Sequence, residues 1–123
     1  MADPTRLARL LSVIEAEIVP LTRAGVARGD KVFGAAILRR GDFSTIVAAT
    51  NRETESPLLH GEISAIEAYY AAAAQDASRR WPPGDSLFLA THEPCTMCAS
   101  AIAWGGYPEV WFLFSHEDSR DSF

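Results

Sequence analysis

The chain has 123 residues, 48% of them hydrophobic and 22% charged, which is typical of one globular domain and excludes disorder, collagen and coiled coil as overall descriptions. Its 16 acidic and 11 basic residues give a formal net charge of −5, which disfavours a protein that binds a nucleic-acid backbone through clustered Lys and Arg. The sequence contains no signal-peptide pattern and no apolar run long enough for a membrane span, so we expect a cytoplasmic protein whose two cysteines stay reduced.

Hydrophobic spacing and turn residues predict helices and strands along the whole chain. In chain order, the predicted elements are helices over 5–19 and 21–27, strands over 32–38 and 43–49, a helix over 59–76, a strand over 87–91, a helix that Pro94 opens and Gly105-Gly106 ends, and a strand over 110–114. We expect Pro20 to limit or kink the first helix and Gly29-Asp30 to end the second. The turn at 39–42 should join the first two strands as a hairpin.

The last two predicted strands are joined through a helix, so they should lie parallel to each other. A hairpin beside a parallel pair makes a mixed sheet, and helices on both sides of that sheet make a three-layer α/β/α sandwich. We expect this α/β fold to occupy residues 1–123 as a single domain.

Two short motifs, each at a predicted helix start, contain the residues that can carry chemistry. The first is His60-Gly61-Glu62 and the second is Pro94-Cys95-Thr96-Met97-Cys98. Each is ambiguous alone, because a His-x-Glu triplet often arises by chance, and two cysteines three residues apart are also typical of buried thiols or of a thioredoxin-like redox pair.

Together the two motifs can supply a zinc site. Cys95 and Cys98 lie on one side of a first helical turn, where the partial positive charge of the helix start should lower the thiol pKa and favour the metal-binding thiolate. His60 can be a third ligand, which leaves the fourth position open for water, as in catalytic zinc sites. Glu62 is close enough in sequence to move protons between that water, whose pKa zinc lowers to ~7, and a leaving amine.

These motifs resemble those of the cytidine/deoxycytidylate deaminase superfamily of zinc enzymes, over roughly residues 30–118. The segment His-Gly-Glu-Ile-Ser at 60–64 is similar to fungal cytosine deaminase. The segment Glu-Pro-Cys-Thr-Met-Cys at 93–98, followed by Ala101-Ile102, is more similar to bacterial guanine deaminases and tRNA adenosine deaminases. Relatives usually continue past the fourth strand with a segment that helps to close the pocket, so the resemblance implies a short C-terminus here.

The resemblance implies a cytidine deaminase-like fold and a function for individual residues. His60, Cys95 and Cys98 would be the ligands of a Zn²⁺ cofactor, and Glu62 would be the catalytic proton shuttle. Asn51, at the end of the second strand, matches an asparagine that hydrogen-bonds the substrate in these families.

Three more residues, His92, His116 and Asp118, are considered for substrate contact. His92 lies beside the second motif at a strand end, where a histidine is either a substrate contact or a hydrogen-bonded structural residue. Asp118 and His116 follow the last strand, and ligands of open α/β sheets bind beyond the carboxyl ends of strands. Asp118 is the better candidate of the two, and a solvated acidic tail is the alternative interpretation of this segment.

We therefore expect a zinc-dependent hydrolytic deaminase of a small nucleobase, nucleoside or related amino-heterocycle, with cytosine or guanine as the leading substrates and ammonia as a product. The resemblance also implies a homodimer. One alternative is a tRNA adenosine deaminase, which the acidic charge and the single lysine, Lys31, disfavour. Another is a non-catalytic zinc-binding structural or regulatory module, which a set of only three ligands disfavours because closed structural sites use four.

Overall fold

The computed structural model describes residues 3–119. In that range the main elements are α1 (Pro4–Val13), a π-helical turn (Ile14–Ile18), α2 (Val19–Arg28), β1 (Gly34–Arg39), β2 (Thr45–Thr50), α3 (Gly61–Gln75), β3 (Ser86–His92), α4 (Thr96–Gly105), β4 (Val110–Phe114) and α5 (His116–Ser119). Two short 3-10 turns, Ala77–Arg79 and Pro83–Asp85, lie between α3 and β3. Residues 1–2 and the end of the predicted polar tail, 120–123, lie outside the described residues.

The N-terminal segment forms one helical run from α1 to α2 instead of two separate helices. Pro20 has no N–H and, in a regular α-helix, its ring would crowd the carbonyl four residues earlier. The wider π turn over Ile14–Ile18, just before it, accommodates the ring without ending the helix. Gly29, with a left-handed φ of 101°, ends the run where the sequence predicts.

The strands of the described chain form one mixed sheet in the order β2-β1-β3-β4. β1 is antiparallel to β2, which confirms the hairpin, and is also antiparallel to β3. β3 and β4 are parallel, as predicted from the helix that joins them. Their carboxyl ends therefore lie at the same end of the sheet, beside the Cys95 motif.

Alternate residues of the central strands face opposite sides of the sheet and build two cores. The first core lies under the N-terminal helical run and contains Leu10, Val13, Ile14, Ile18, Ala36, Leu38, Leu87 and Leu89. The second lies under α3 and α4 and contains Ala35, Ile37, Ala65, Tyr69, Ala73, Phe88, Ile102 and Tyr107. Helical layers thus cover both faces, and the three-layer α/β/α sandwich is confirmed.

Two glycines allow β1 to lie directly against a helix on each face of the sheet, Gly61 on the α3 side and Gly34 on the side of the N-terminal helical run. A Cβ on Gly61 would lie 2.8 Å from the Gly34 Cα and 3.0 Å from the Phe33 carbonyl oxygen. A Cβ on Gly34 would lie 2.5 Å from the Cγ2 of Ile18. The close approach of Gly61 to the β1 backbone holds the His60-Gly61-Glu62 motif against this central strand of the sheet.

The edge strand β4 carries large apolar side chains that stay exposed. Val110, Phe112, Leu113 and Phe114 are all exposed, as is Trp104 at the end of α4, whose side chain is 91% accessible. Among the described residues, none of the helices is both long and apolar enough to cross a membrane.

Candidate metal centre

The two motifs meet at the starts of α3 and α4. His60 and Cys95 are the N-cap residues of these helices, and both have extended backbones that turn their side chains out of the helical path. The His60 carbonyl accepts the Ser64 N–H at 2.9 Å, and the Cys95 carbonyl accepts the Ala99 N–H at 2.8 Å. These first-turn hydrogen bonds fix where the two potential ligands lie.

The resulting geometry brings three ligand atoms around one point. His60 Nδ1 lies 3.5 Å from Cys95 Sγ and 3.7 Å from Cys98 Sγ, and all three atoms lie within 4.8 Å of one another. In a tetrahedral site with Zn–S bonds of about 2.3 Å and Zn–N bonds of about 2.0 Å, nitrogen and sulfur ligands are about 3.5 Å apart. The cluster therefore fits Zn²⁺, with Nδ1 as the histidine ligand atom.

The pKa of the Cys98 thiol is raised, whereas its place at a helix start predicted a lowered pKa. Burial raises its pKa well above the ordinary value, and the nearby Glu62 carboxylate and the Cys95 thiol raise it further. Removal from water disfavours the thiolate more than the partial charge of the helix start favours it. A bound divalent cation offsets this cost, so metal binding at this site should release protons.

Glu62 lies one residue into α3 and is 6% exposed. Burial raises its pKa, against the lowering influence of its own backbone N–H, of His60 and of the Cys98 thiol. A raised pKa makes the carboxyl group hold a proton more readily, which suits a residue that must both accept and donate one in general acid–base catalysis. The side chain lies in the same cavity as the ligand cluster.

A cavity of about 370 Å³, including its open mouth, lies directly over this cluster. Its lining combines three carboxylates and two imidazoles with a lysine, a phenylalanine ring and a thiol. The lining residues are Lys31, Phe33, Glu53, His60, Glu62, His92, Glu93 and Cys95. A cavity with a few converging polar groups is typical of a small-molecule site.

His92 has features of both interpretations considered from the sequence. It lines the cavity, and its ring meets the Phe33 ring edge-on with centroids 4.4 Å apart. Its Nδ1 also lies 2.7 Å from the Thr91 hydroxyl. Burial lowers the pKa of His92, so it presents a neutral imidazole at the wall of the cavity.

Asn51 is fully buried and does not belong to the cavity lining described above. Its carbonyl oxygen accepts the backbone N–H groups of Glu53 at 3.0 Å and Lys31 at 3.3 Å. Its amide donates to a Glu53 carboxylate oxygen at 2.6 Å. Direct contact between Asn51 and a substrate stays a prediction, and the hydrogen bonds that the structure gives its side chain go to Glu53 in its own loop and to the Lys31 backbone before β1.

Asp118 lies in α5, after β4, and its carboxylate accepts hydrogen bonds from the Ser115 N–H at 3.0 Å and the Ser115 hydroxyl at 2.9 Å. These bonds hold the pKa of Asp118 below its usual value. His116 lies nearer to the motif, with Nε2 3.1 Å from the carbonyl oxygens of Glu93 and Pro94. Substrate contact by Asp118 likewise stays a prediction.

The cavity wall also contains Lys31, Phe33 and Glu53, which the sequence motifs did not indicate. Lys31 and Phe33 precede β1 and Glu53 follows β2, and these ends of the two strands are adjacent because Gly34 pairs with Thr50. The signal in the sequence was the predicted hairpin, whose open end brings these residues together.

Solved structures with the same fold include two guanine deaminases. The chain is 28% identical to guanine deaminase from Bacillus subtilis, with a TM-score of 0.68 over 99% of this chain and 70% of that one. It is 26% identical to guanine deaminase from Nitrosomonas europaea, with a TM-score of 0.71 over 98% of this chain and 64% of that one. About a third of each guanine deaminase thus has no counterpart here.

A third similar structure comes from a study of tRNA:A34 deaminases that edit the wobble position of transfer RNA. It is 27% identical, with a TM-score of 0.64, but the similarity covers 79% of this chain and 67% of that one. No curated protein matches the sequence significantly.

At the level of families, the sequence matches the group described as the cytidine and deoxycytidylate deaminase zinc-binding region. The match covers residues 13–114, which includes all of the sheet and both motifs. The chain therefore belongs to the cytidine and deoxycytidylate deaminase family of zinc-binding proteins.

Proposed function

We propose that the chain is a zinc-dependent hydrolytic deaminase of a small amino-heterocycle, with guanine first and cytosine second among the substrates to test. One observation carries the proposal: His60, Cys95 and Cys98 surround a single point at the distances of a zinc site, in the cavity that also contains the buried Glu62. The reaction replaces a ring C–NH₂ by C=O and consumes one water for each ammonia released.

Zn²⁺ bound to His60, Cys95 and Cys98 supplies Lewis acidity, which makes water a competent nucleophile at neutral pH. Glu62 moves the protons. Its carboxylate would take one proton from the attacking water and give it to the ring nitrogen beside the reacting carbon. It would then take the second proton from the hydroxyl group added to that carbon and give it to the amine, so that the C–N bond breaks, ammonia leaves and the carbonyl forms. The raised pKa of Glu62 suits these transfers, because the carboxyl group must be both an acceptor and a donor within one cycle.

The cavity wall supports a flat, donor-rich ligand. Phe33 and His92 provide ring surfaces, and the carboxylate of Glu93 is a hydrogen-bond acceptor for amino and ring N–H groups. Guanine comes first because the similarity to the two guanine deaminases extends over 98–99% of this chain. Cytosine comes second because the His-Gly-Glu-Ile-Ser segment at 60–64 resembles that of fungal cytosine deaminase.

A tRNA adenosine deaminase is the second candidate, favoured by the structural similarity to a tRNA:A34 deaminase. The net charge of −5 argues against it, since binding a phosphate backbone requires clustered positive charge. RNA binding measured at 50 and 200 mM salt separates the candidates: a tRNA enzyme should bind and weaken steeply with salt, whereas we expect no specific binding.

The decisive experiment is an ammonia-release screen of the zinc-loaded protein across guanine, cytosine, adenine, their nucleosides, and small amino-triazines and pterins. The matched control is Glu62→Gln, which keeps the size of the side chain and removes its proton transfer. We expect ammonia from at least one substrate with the wild type, and none above background with the variant at equal zinc content. Turnover by Glu62→Gln equal to wild type would remove Glu62 from its role, and a zinc-loaded protein inactive on all these compounds would favour the non-catalytic zinc module.

Self-association into a homodimer remains part of the proposal. The exposed apolar side chains of β4, and Trp104 at the end of α4, are side chains that a second copy would cover. Light scattering at several protein concentrations tests this, and a mass of one chain throughout would contradict it.

A further inference from the structure

The loop between β2 and α3 contains a buried polar network that the proposed mechanism does not use. Asn51 is fully buried. Its side-chain carbonyl accepts the backbone N–H groups of Glu53 and Lys31, and its amide donates to the Glu53 carboxylate. The shortest of these bonds, 2.6 Å, joins the Asn51 amide to Glu53 Oε2. A buried amide satisfied in this way holds one carboxylate oxygen in a fixed place.

The other oxygen of Glu53 faces the metal cluster. Oε1 lies 3.8 Å from His60 Nε2 and 3.5 Å from the Lys31 ammonium. Because His60 Nδ1 faces the two cysteine sulfurs, the neutral ring that binds a metal there carries its proton on Nε2. The Nε2–H bond is therefore on the Glu53 side of the imidazole.

We propose that Glu53 is a positioning residue for the His60 ligand, and that Asn51 fixes Glu53 for this purpose. The inference rests on the proposed function, since it concerns the same metal. Histidine ligands commonly donate their second ring N–H to a carboxylate, which orients the ring and raises its basicity. The present separation of 3.8 Å is longer than a hydrogen bond, and a movement of roughly 0.6–1 Å closes it. Lys31 offsets part of the negative charge that Glu53 brings to the cavity wall.

The test is the zinc affinity of Glu53→Gln, measured by competition with a chelator and without substrate. The replacing amide can still accept from Asn51 through its oxygen, and then turns its NH₂ toward His60 Nε2–H, so that two donors face each other. We expect zinc to bind about 10- to 100-fold more weakly than in wild type. Glu55→Gln is the matched control: it lies in the same loop, is exposed and pairs with Arg52, and should leave affinity unchanged.

A second readout separates positioning from a general role in folding. In zinc-loaded wild type, NMR should show a His60 Nε2–H proton that exchanges slowly with solvent, and Glu53→Gln should lose this protection. The zinc-free unfolding midpoints of Glu53→Gln and Glu55→Gln should agree. Wild-type affinity in Glu53→Gln, or an affinity loss matched by a loss of zinc-free stability, would overturn this inference alone. A wild-type chain that binds no zinc would overturn the proposed function together with it.

Discussion

The contact between β1 and the N-terminal helical run depends on the absence of a side chain at Gly34. An alanine Cβ there would lie 2.5 Å from the Ile18 Cγ2, 2.8 Å from the Thr22 Cγ2 and 3.1 Å from the Ala49 carbonyl oxygen. Carbon atoms in ordinary contact are about 3.5–4.0 Å apart, so the helical run would have to move by about 1 Å. Ile18 is fully buried and β-branched, so it has no spare rotamer.

We therefore predict that Gly34→Ala destabilises the fold by about 1–3 kcal/mol, the usual cost of overpacking a core. Without the clash, Gly34→Ala would raise the free energy of unfolding, since alanine is favoured over glycine inside a strand by about 0.5–1 kcal/mol. The assay is urea unfolding followed by circular dichroism at one fixed free-zinc concentration. Gly84→Ala is the control, because a Cβ there meets no atom within 4 Å, and it should change stability by less than about 0.5 kcal/mol. A Gly34→Ala midpoint equal to or above wild type would refute the packing argument.

Three further predictions concern the metal, a buried hydroxyl and a buried carboxylate. Cys98→Ala should lose zinc, so its melting temperature should no longer rise when zinc is added, whereas saturation 1,000-fold above the dissociation constant should stabilise wild type by about 4 kcal/mol; an equal zinc response in both would contradict the ligand assignment. Tyr69→Phe should cost about 1–3 kcal/mol in urea unfolding, because the hydroxyl accepts the Trp81 N–H and donates to the Trp81 carbonyl, both at 2.8 Å; a change below about 0.5 kcal/mol would show that water replaces it. Asp30 has a lowered pKa because Thr54 donates to it through its hydroxyl and its backbone N–H, so its ionised form stabilises the fold above about pH 4 and the effect is lost as pH falls through the lower folded-state pKa. Asp30→Asn should thus be less stable than wild type at pH 6, and the difference should shrink on acidification; a difference that does not change with pH would contradict this.

The sequence predicted from local signals that His60, Cys95 and Cys98 lie together, as the structure has them, and their role as zinc ligands stays a prediction. Cys95 and Cys98 are one helical turn apart, and His60 begins another helix, so motif spacing and helix starts are enough to propose that they converge. The strand order followed from equally local signals, namely a hairpin turn and a helical connection between β3 and β4.

Several features that the sequence did not predict depend on how the elements pack in the folded chain. The pKa of the Cys98 thiol follows from its burial, which the packing of α4 on the sheet decides. The position of Glu53 depends on the Asn51 amide, and the need for glycine at position 34 depends on Ile18, sixteen positions earlier in the chain. The helix continues through Pro20 because of a π turn over Ile14–Ile18, which no residue pattern predicts.

The central claim is that His60, Cys95 and Cys98 hold one zinc ion whose fourth position is open to water. Zinc X-ray absorption on the purified wild-type protein, with metal content measured in parallel, tests it most directly. The account predicts one zinc per chain, with two sulfur neighbours at about 2.3 Å and two nitrogen or oxygen neighbours at about 2.0–2.1 Å. A folded protein without zinc, or a zinc ion whose neighbours do not include two sulfurs, would contradict it.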